Sequence, residues 1–270
     1  TGKGYTTRWY DASHATQYPM AARSAVNLYE VDTYVRMTTV DLNLGPRRRG
    51  RAGDAVEMAA LYLDVDAQTG VHKHDAAELP PDIETGLSTL LAGGLPEPSL
   101  VISSGGGCYP IWLLSTPITD VAEMKEISNA WHRAAESIFR ASGFHLDKVS
   151  DLSRMLRIPG TLNAKDPTGQ RLATIWKPPS SPAVRFEAKH MLDLALHIAP
   201  QDPLPSPGAH ASERTPRRHG PIPRPMVTSS SGDPFDALMA LGNGGHDLVA
   251  GMLEELVEWK VFDSTPGEGG

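Results

Sequence analysis

Leu61-Tyr62-Leu63-Asp64-Val65-Asp66 is an apolar run that ends in two carboxylates two residues apart. In an extended strand residues i and i+2 point the same way, so Asp64 and Asp66 share one face while Leu61, Leu63 and Val65 pack on the other. Their Cβ atoms then lie about 7 Å apart. Two ionised carboxylates that close, at the end of a mostly buried strand, repel each other unless one is protonated or a cation lies between them. Two readings stand open at this point. The pair caps the strand and faces water, or it holds a divalent cation, Mg²⁺ or Mn²⁺, at a strand end of the kind where open α/β sheets place ligands.

The 270 residues are 40% apolar and only 6% aromatic, enough for one large or two small domains with a core, and we expect one globular unit with an appendage. Cys108 is the single cysteine, which excludes an intramolecular disulfide and any multi-cysteine zinc site. No zinc is expected, and a catalytic metal would have oxygen ligands. No apolar run approaches the roughly 20 residues that span a bilayer, and the N-terminus has no apolar signal-peptide core. The expectation is a soluble, cytoplasmic protein without a membrane partner. A start at Thr1 rather than Met leads us to expect a piece of a longer chain.

The net charge of -7 argues against a nonspecific DNA coat, but the distribution of charge matters more than the total. Arg47, Arg48, Arg49 and Arg51 form a dense basic loop just upstream of the Asp64 strand. It is either solvated surface or a clamp on nucleic-acid phosphates, in which each neutralised phosphate releases counterions.

Residues 31–44 read as one or two strands and residues 59–66 as the next. Ser99 to Ser103 is β-branched, bounded by Pro98 and Gly105, and predicts a buried strand, with Cys108 to Leu114 its hairpin partner across a glycine turn. Val121, Met124, Ile127, Trp131, Ala134 and Ile138 recur at helical spacing and predict a helix from Val121 to Ala141, with Asp120 as N-cap, Glu123 beside it and Gly143 at the exit. Leu172 to Trp176 predicts another strand and Glu187 to Ile198 another helix. Residues 1–200 are therefore expected to be the catalytic unit. Residues 201–233, punctuated by Pro203, Pro205, Pro207, Pro216, Pro221, Pro223 and Pro225, predict a semi-extended linker. Residues 234–270 predict a small C-terminal helical segment and tail, either a last packed helix or the opening of a further domain. There is no internal repeat, and Gly2-Lys3-Gly4 is too short for a P-loop.

Two segments join the aspartates. Ser103-Ser104-Gly105-Gly106-Gly107 follows a buried strand, and consecutive glycines let backbone N–H groups cradle an anion, with a serine hydroxyl as an added donor. Asp151 to Lys165 mixes one carboxylate with Arg154, Arg157 and Lys165 around an Ile158-Pro159-Gly160-Thr161 turn. One carboxylate for metal and several cations for phosphates suit phosphoryl or nucleotidyl transfer.

Over residues 30–195 the chain resembles the archaeo-eukaryotic primase superfamily, in particular the bifunctional primase-polymerase domains of phage, plasmid and actinobacterial replication proteins. The motifs are Leu63-Asp64-Val65-Asp66, then Ser104-Gly105-Gly106-Gly107 with Trp112 downstream, then Asp151 through Lys165, in that order; His72-Lys73 to Leu79-Pro80-Pro81 resembles the family's linking segment. The resemblance implies an α+β primase-polymerase core in which an RRM-like sheet faces a second α/β unit. It implies template-dependent DNA primase and polymerase activity, with nucleoside triphosphates, single-stranded or primed DNA and a downstream helicase domain or protein as partners. By resemblance Asp64, Asp66 and Asp151 are the catalytic ligands of two Mg²⁺ or Mn²⁺ ions. Ser104, Gly105, Gly106, Gly107, Tyr109, Arg154, Arg157, Lys165 and Lys73 match nucleotide-binding positions, and Arg47, Arg48, Arg49 and Arg51 are expected on DNA. The family's second motif has a histidine where this chain has Tyr109, and tyrosine donates a hydrogen bond but is not cationic. Two alternatives are a catalytically weakened nucleotide- or nucleic-acid-binding module of the same fold, and a metal-dependent phosphodiesterase.

Overall fold

The computed structural model describes residues 33–40, 44, 50–69, 76–163, 171–180 and 182–200. Arg47, Arg48, Arg49, His72, Lys73, His74, Lys165, the expected linker and the C-terminal segment lie outside them.

The described residues form a mixed α+β unit with mainly antiparallel sheets, the class expected from the sequence. The main sheet is built on β6 (Gly107–Ile118), which pairs on one side with β3 (Ala55–Tyr62) and β4 (Val65–Asp66), and on the other with β5 (Leu100–Ser103). Among the described residues β2 (Thr39–Val40) edges the sheet beyond β3, and β10 (Thr174–Lys177) edges it beyond β5. Where β5 stops, β11 (Arg185–Phe186) takes over its side of β6, running parallel to it. Ser99 fills the join: its buried hydroxyl donates to the Val184 carbonyl at 2.7 Å and accepts the Leu113 N–H at 2.9 Å.

β3 and β4 are one strand in a single register, from Ala60 opposite Leu113 to Asp66 opposite Gly107, which sets Asp64 across from Tyr109. The interruption between them has a local cause. Pro110 has no N–H, so its pairing with Leu63 closes by one bond, Leu63 N–H to the Pro110 carbonyl at 3.2 Å. Proline is rare inside a sheet for this reason, and here it breaks the ladder beside Asp64.

The two faces of this sheet carry different cores. Leu61, Leu63, Val65, Cys108, Trp112 and Leu114 lie in the larger cluster, together with Met124, Ile127, Trp131, Ile138 and Phe139. The last five line one stripe of α2 (Val121–Ala141), which packs with α1 (Ile83–Ala92) and α3 (Ala188–Ile198). Trp112 and Trp131 meet edge to face at 4.9 Å, an arrangement that contributes about 1 kcal/mol beyond the area it buries. α2 has the bounds read from its periodicity, and Asp120 caps it by accepting Glu123 N–H at 2.8 Å. α1 has no counterpart in the sequence reading. It is capped by Asp82, which accepts Thr85 N–H at 2.7 Å.

The opposite face carries Ala60, Tyr109, Ile111, Leu113, Leu100 and Ile102. It is covered by a two-stranded ribbon of β1 (Tyr34–Arg36) and β7 (Met155–Arg157), through Val35, Met37, Leu156 and Ile158. β7 lies in the segment read from sequence as a charged turn. A second small ribbon, β8 (Leu162–Asn163) with β9 (Arg171–Leu172), stands at the end of the sheet that carries the glycine turn. The expected strand from Leu172 to Trp176 is thus split at Ala173, whose N–H donates to Thr161 and whose carbonyl accepts from Gly160.

Candidate active site

Asp64 and Asp66 project from the β3–β4 strand on the face opposite the helices, because Leu61, Leu63 and Val65 are claimed by the helix-side core. Tyr62, two residues before Asp64, leads the same face and packs against the second core. The Arg154 side chain crosses to the strand, and its Nη2 donates to Asp64 Oδ2. The pair is partly exposed, at 34% for the arginine side chain and 18% for the aspartate. Burial pushes the Arg154 pKa down, but the Asp64 charge and hydrogen bond outweigh it, and the net shift is upward. The cation that carboxylate repulsion calls for is here supplied by the protein.

Arg154 belongs to a turn opened by Asp151. The Asp151 carboxylate accepts Ser153 N–H at 2.9 Å and the Ser153 hydroxyl at 2.8 Å, and its carbonyl accepts Arg154 N–H at 2.9 Å. The same carbonyl accepts the Tyr62 hydroxyl at 3.3 Å, which ties the turn to the aspartate strand. Burial pushes the Tyr62 pKa strongly up, so this phenol stays a donor at any ordinary pH.

The glycine turn abuts Asp66, which pairs directly with Gly107. Ser104 N–H donates to the Gly107 carbonyl at 2.9 Å, and Ala67 N–H to the Gly106 carbonyl at 3.1 Å. A Cβ on Gly107 would stand 2.1 Å from the Val65 carbonyl oxygen, so β4 can lie this close only to a glycine. Gly105 takes φ +82°, a conformation that favours glycine. The Gly105 and Gly106 N–H groups reach the Ser103 and Ser104 hydroxyls only at 3.4 Å, bonds long enough to be given up to a stronger acceptor.

Two residues expected at the nucleotide are built into the interior. Arg157 is 1% exposed. Its Nη1 donates to the Leu162 carbonyl at 3.2 Å and its Nη2 to the Tyr34 hydroxyl at 2.9 Å, with the guanidinium 4.8 Å from the Tyr34 ring centroid. Tyr109 shares the Asp64 face but is 7% exposed within the second core, rather than standing open beside the glycine turn. Burial, reinforced by the Asp64 charge, pushes its pKa up against the opposing pull of Arg157. Neither is offered to a triphosphate. Arg154, partly exposed, is engaged by the Asp64 carboxylate.

Among the described residues no three His, Cys, Asp or Glu side chains gather into a group that could hold a metal ion. The Asp64 and Asp66 pair nevertheless fits a hard divalent cation. Both are oxygen donors on one face at a strand end, and Mg²⁺ is commonly held by one or two carboxylates, with substrate phosphates and water completing its shell. Asp151 stands across Tyr62 from them with its oxygens engaged by Ser153. Of the basic loop, Arg51 is described: it is exposed, and its carbonyl accepts Arg36 Nη2 at 3.0 Å.

Arg171 is a site residue that sequence reasoning missed. Its Nη1 donates to the Gly105 carbonyl at 3.2 Å and to the Thr69 carbonyl, joining the glycine turn to the loop that leaves Asp66. Asn163 Nδ2 secures the same turn through the Ser104 carbonyl at 2.9 Å. Nothing in the local sequence distinguishes Arg171 from any exposed strand cation.

No protein-family model matches the chain, and no curated protein does. Among solved structures it is similar to the AEP domain, PP-N190, of the cyanophage S-2L Primase-Polymerase (PrimPol), with 18% sequence identity and a TM-score of 0.40 over 65% of this chain and 76% of that one. No helix among the described residues is long and apolar enough to cross a membrane.

Proposed function

We propose that the chain is a template-dependent primase-polymerase that joins nucleotides to a 3′-hydroxyl by metal-assisted nucleotidyl transfer. The observation that carries this is the placement of Asp64 and Asp66 on the face opposite the helix-side core, with Asp66 paired to the glycine turn at Gly107. Carboxylates for a cation and backbone N–H groups for phosphates then lie side by side, as nucleotidyl transfer needs. In this reading the arrangement is of primase-polymerase type, an RRM-like sheet facing a second α/β unit.

Asp64 and Asp66 would hold Mg²⁺ or Mn²⁺, with Asp151 as the third carboxylate. Bound there, such ions lower the pKa of an attacking hydroxyl and neutralise the charge of the leaving pyrophosphate. The chain's own contribution is positioning. Gly105 and Gly106 present N–H groups to the triphosphate, Arg171 and Asn163 hold that turn in place, and Tyr62 fixes the Asp151 turn against the strand. Lys73 and Lys165 are proposed as further phosphate contacts, and Arg47, Arg48, Arg49 and Arg51 as contacts to template DNA. The protein would work in the cytoplasm on single-stranded or primed DNA with a helicase-like partner.

The interior use of Arg157 and Tyr109 favours a second reading, a nucleotide-binding module of this fold with weakened catalysis, because it removes one cation and one donor from the triphosphate. Labelled deoxynucleotide and ribonucleotide incorporation on a primed template with Mn²⁺ separates the two. The first reading expects extension by the wild type and none by Asp64→Asn or Asp66→Asn. Nucleotide binding without incorporation would establish the second, and release of label from end-labelled DNA would point to a phosphodiesterase instead.

A further inference from the structure

We propose that Arg154 is a displaceable counter-ion: it neutralises Asp64 in the metal-free chain, yields that carboxylate to a divalent cation, and turns its guanidinium to the nucleotide phosphates. The proposal rests on the nucleotidyl-transfer reading above and adds an order of events to it.

The Arg154 Nη2 to Asp64 Oδ2 bond occupies one of the oxygens a cation would need, so the two compete. The pair is open enough for exchange, with the arginine side chain 34% and the aspartate side chain 18% exposed. The Arg154 backbone is anchored independently, its N–H on the Asp151 carbonyl at 2.9 Å and its carbonyl accepting Met37 N–H at 3.2 Å. The side chain can therefore swing without moving β7 or the Asp151 turn. Its Nε is buried and has no hydrogen-bond partner among the described residues, so the swing costs little beyond the Asp64 bond. A guanidinium carries one positive charge and meets one carboxylate. A divalent cation carries two and draws on Asp66 as well, which tips the competition once the cation is present. The released guanidinium suits phosphate oxygens better than it suits water. Cation and nucleotide then reinforce each other's binding through this side chain, and linkage makes the effect reciprocal.

The test is Mn²⁺ titration of the full chain followed by electron paramagnetic resonance, first without nucleotide, using wild type, Arg154→Met, Arg154→Gln and Asp64→Asn, each checked for folding by circular dichroism. Removing the competitor is expected to tighten nucleotide-free Mn²⁺ binding by about fivefold to tenfold in a folded Arg154 variant, and Asp64→Asn to weaken it. With Mn²⁺ saturating, the same Arg154 variant should bind nucleoside triphosphate about tenfold more weakly. Unchanged or weaker Mn²⁺ binding in both Arg154 variants, with Asp64→Asn still impaired, overturns the counter-ion role and leaves the metal reading standing. Tighter Mn²⁺ binding with unaltered nucleotide affinity overturns the transfer to phosphate. Absence of Mn²⁺ binding in wild type and Arg154 variants alike overturns both this proposal and the functional reading beneath it.

Discussion

Removing the Asp64 carboxylate leaves the Arg154 guanidinium partly buried and without its partner. Carboxylate repulsion, argued from the sequence, predicts that loss of any of the three acids holds or raises metal-free stability. For Asp64 the ion pair reverses the sign. Asp64→Ala is expected to lose about 1–2 kcal/mol, and adding Arg154→Met to recover most of it, measured by urea unfolding of the single and double variants. Tyr109 follows the same logic. The family's histidine is a position for a cationic hydrogen bond, but the 7% exposure of Tyr109 means a charged imidazole in its place would have to be buried. Tyr109→His is now expected to lower the unfolding midpoint and leave nucleotide affinity unchanged between pH 6 and pH 8. His132, 3% exposed on α2, carries a pH dependence of its own. Burial lowers its pKa from the ordinary 6.5, against the opposing pull of Glu136 and Asp147 and with help from Lys148 and Arg154. The unfolded chain therefore takes up a proton as pH falls through 6.5 while the native chain does not, and stability drops until the native pKa is reached. His132→Phe should flatten urea-unfolding stability between pH 6.5 and pH 5.5, a change of at most about 1.4 kcal/mol per pH unit.

At the scale of elements, the β5–β6 hairpin and the β3–β4 strand depend on one close approach. Gly107→Ala drives a methyl group into the Val65 backbone, with no flexible side chain to give way. A loss of more than about 3 kcal/mol, or failure to fold, is expected by thermal unfolding, whereas Gly53→Ala, with nothing within 4 Å of its Cβ, should change stability by less than about 1 kcal/mol. The elements also show which signals are local. α2 was legible because a 21-residue stripe and its Asp120 cap are written in adjacent turns. α1 was not, since Gly86 and Leu90 are its only buried residues and the rest of its length is mixed. β7 was hidden because a strand of three residues, Met155–Arg157, has no periodicity of its own. Its partner, β1, lies more than a hundred residues earlier.

At the scale of the molecule, the two cores draw, among the described residues, on positions from Val35 to Ala199. Because the proline-rich stretch from Pro203 to Pro225 has no apolar periodicity with which to pack, a chain ending at Pro200 is expected to keep its cooperative unfolding, with a midpoint within a few degrees of the full chain, and to retain whatever nucleotide addition the full chain has; calorimetry and primer extension check the two halves of this. The sequence by itself determined that Asp64 and Asp66 share a face opposite Leu61, Leu63 and Val65, because alternation along a strand is a property of the backbone and survives any surroundings. It also determined the helix over Val121–Ala141 and the glycine turn after Ser103, each set by neighbours within a few residues. Only the tertiary structure decided what Arg154, Arg157 and Tyr109 do. These cationic or hydroxylic side chains, from two motifs, are all read from sequence as nucleotide contacts, yet one neutralises Asp64, one is spent on Tyr34 and Leu162, and one fills the core under the β1–β7 ribbon. The reason is that a long polar side chain takes its role from the partner within reach of its tip, and the fold chooses that partner across separations of 90 residues for Arg154 and 123 for Arg157.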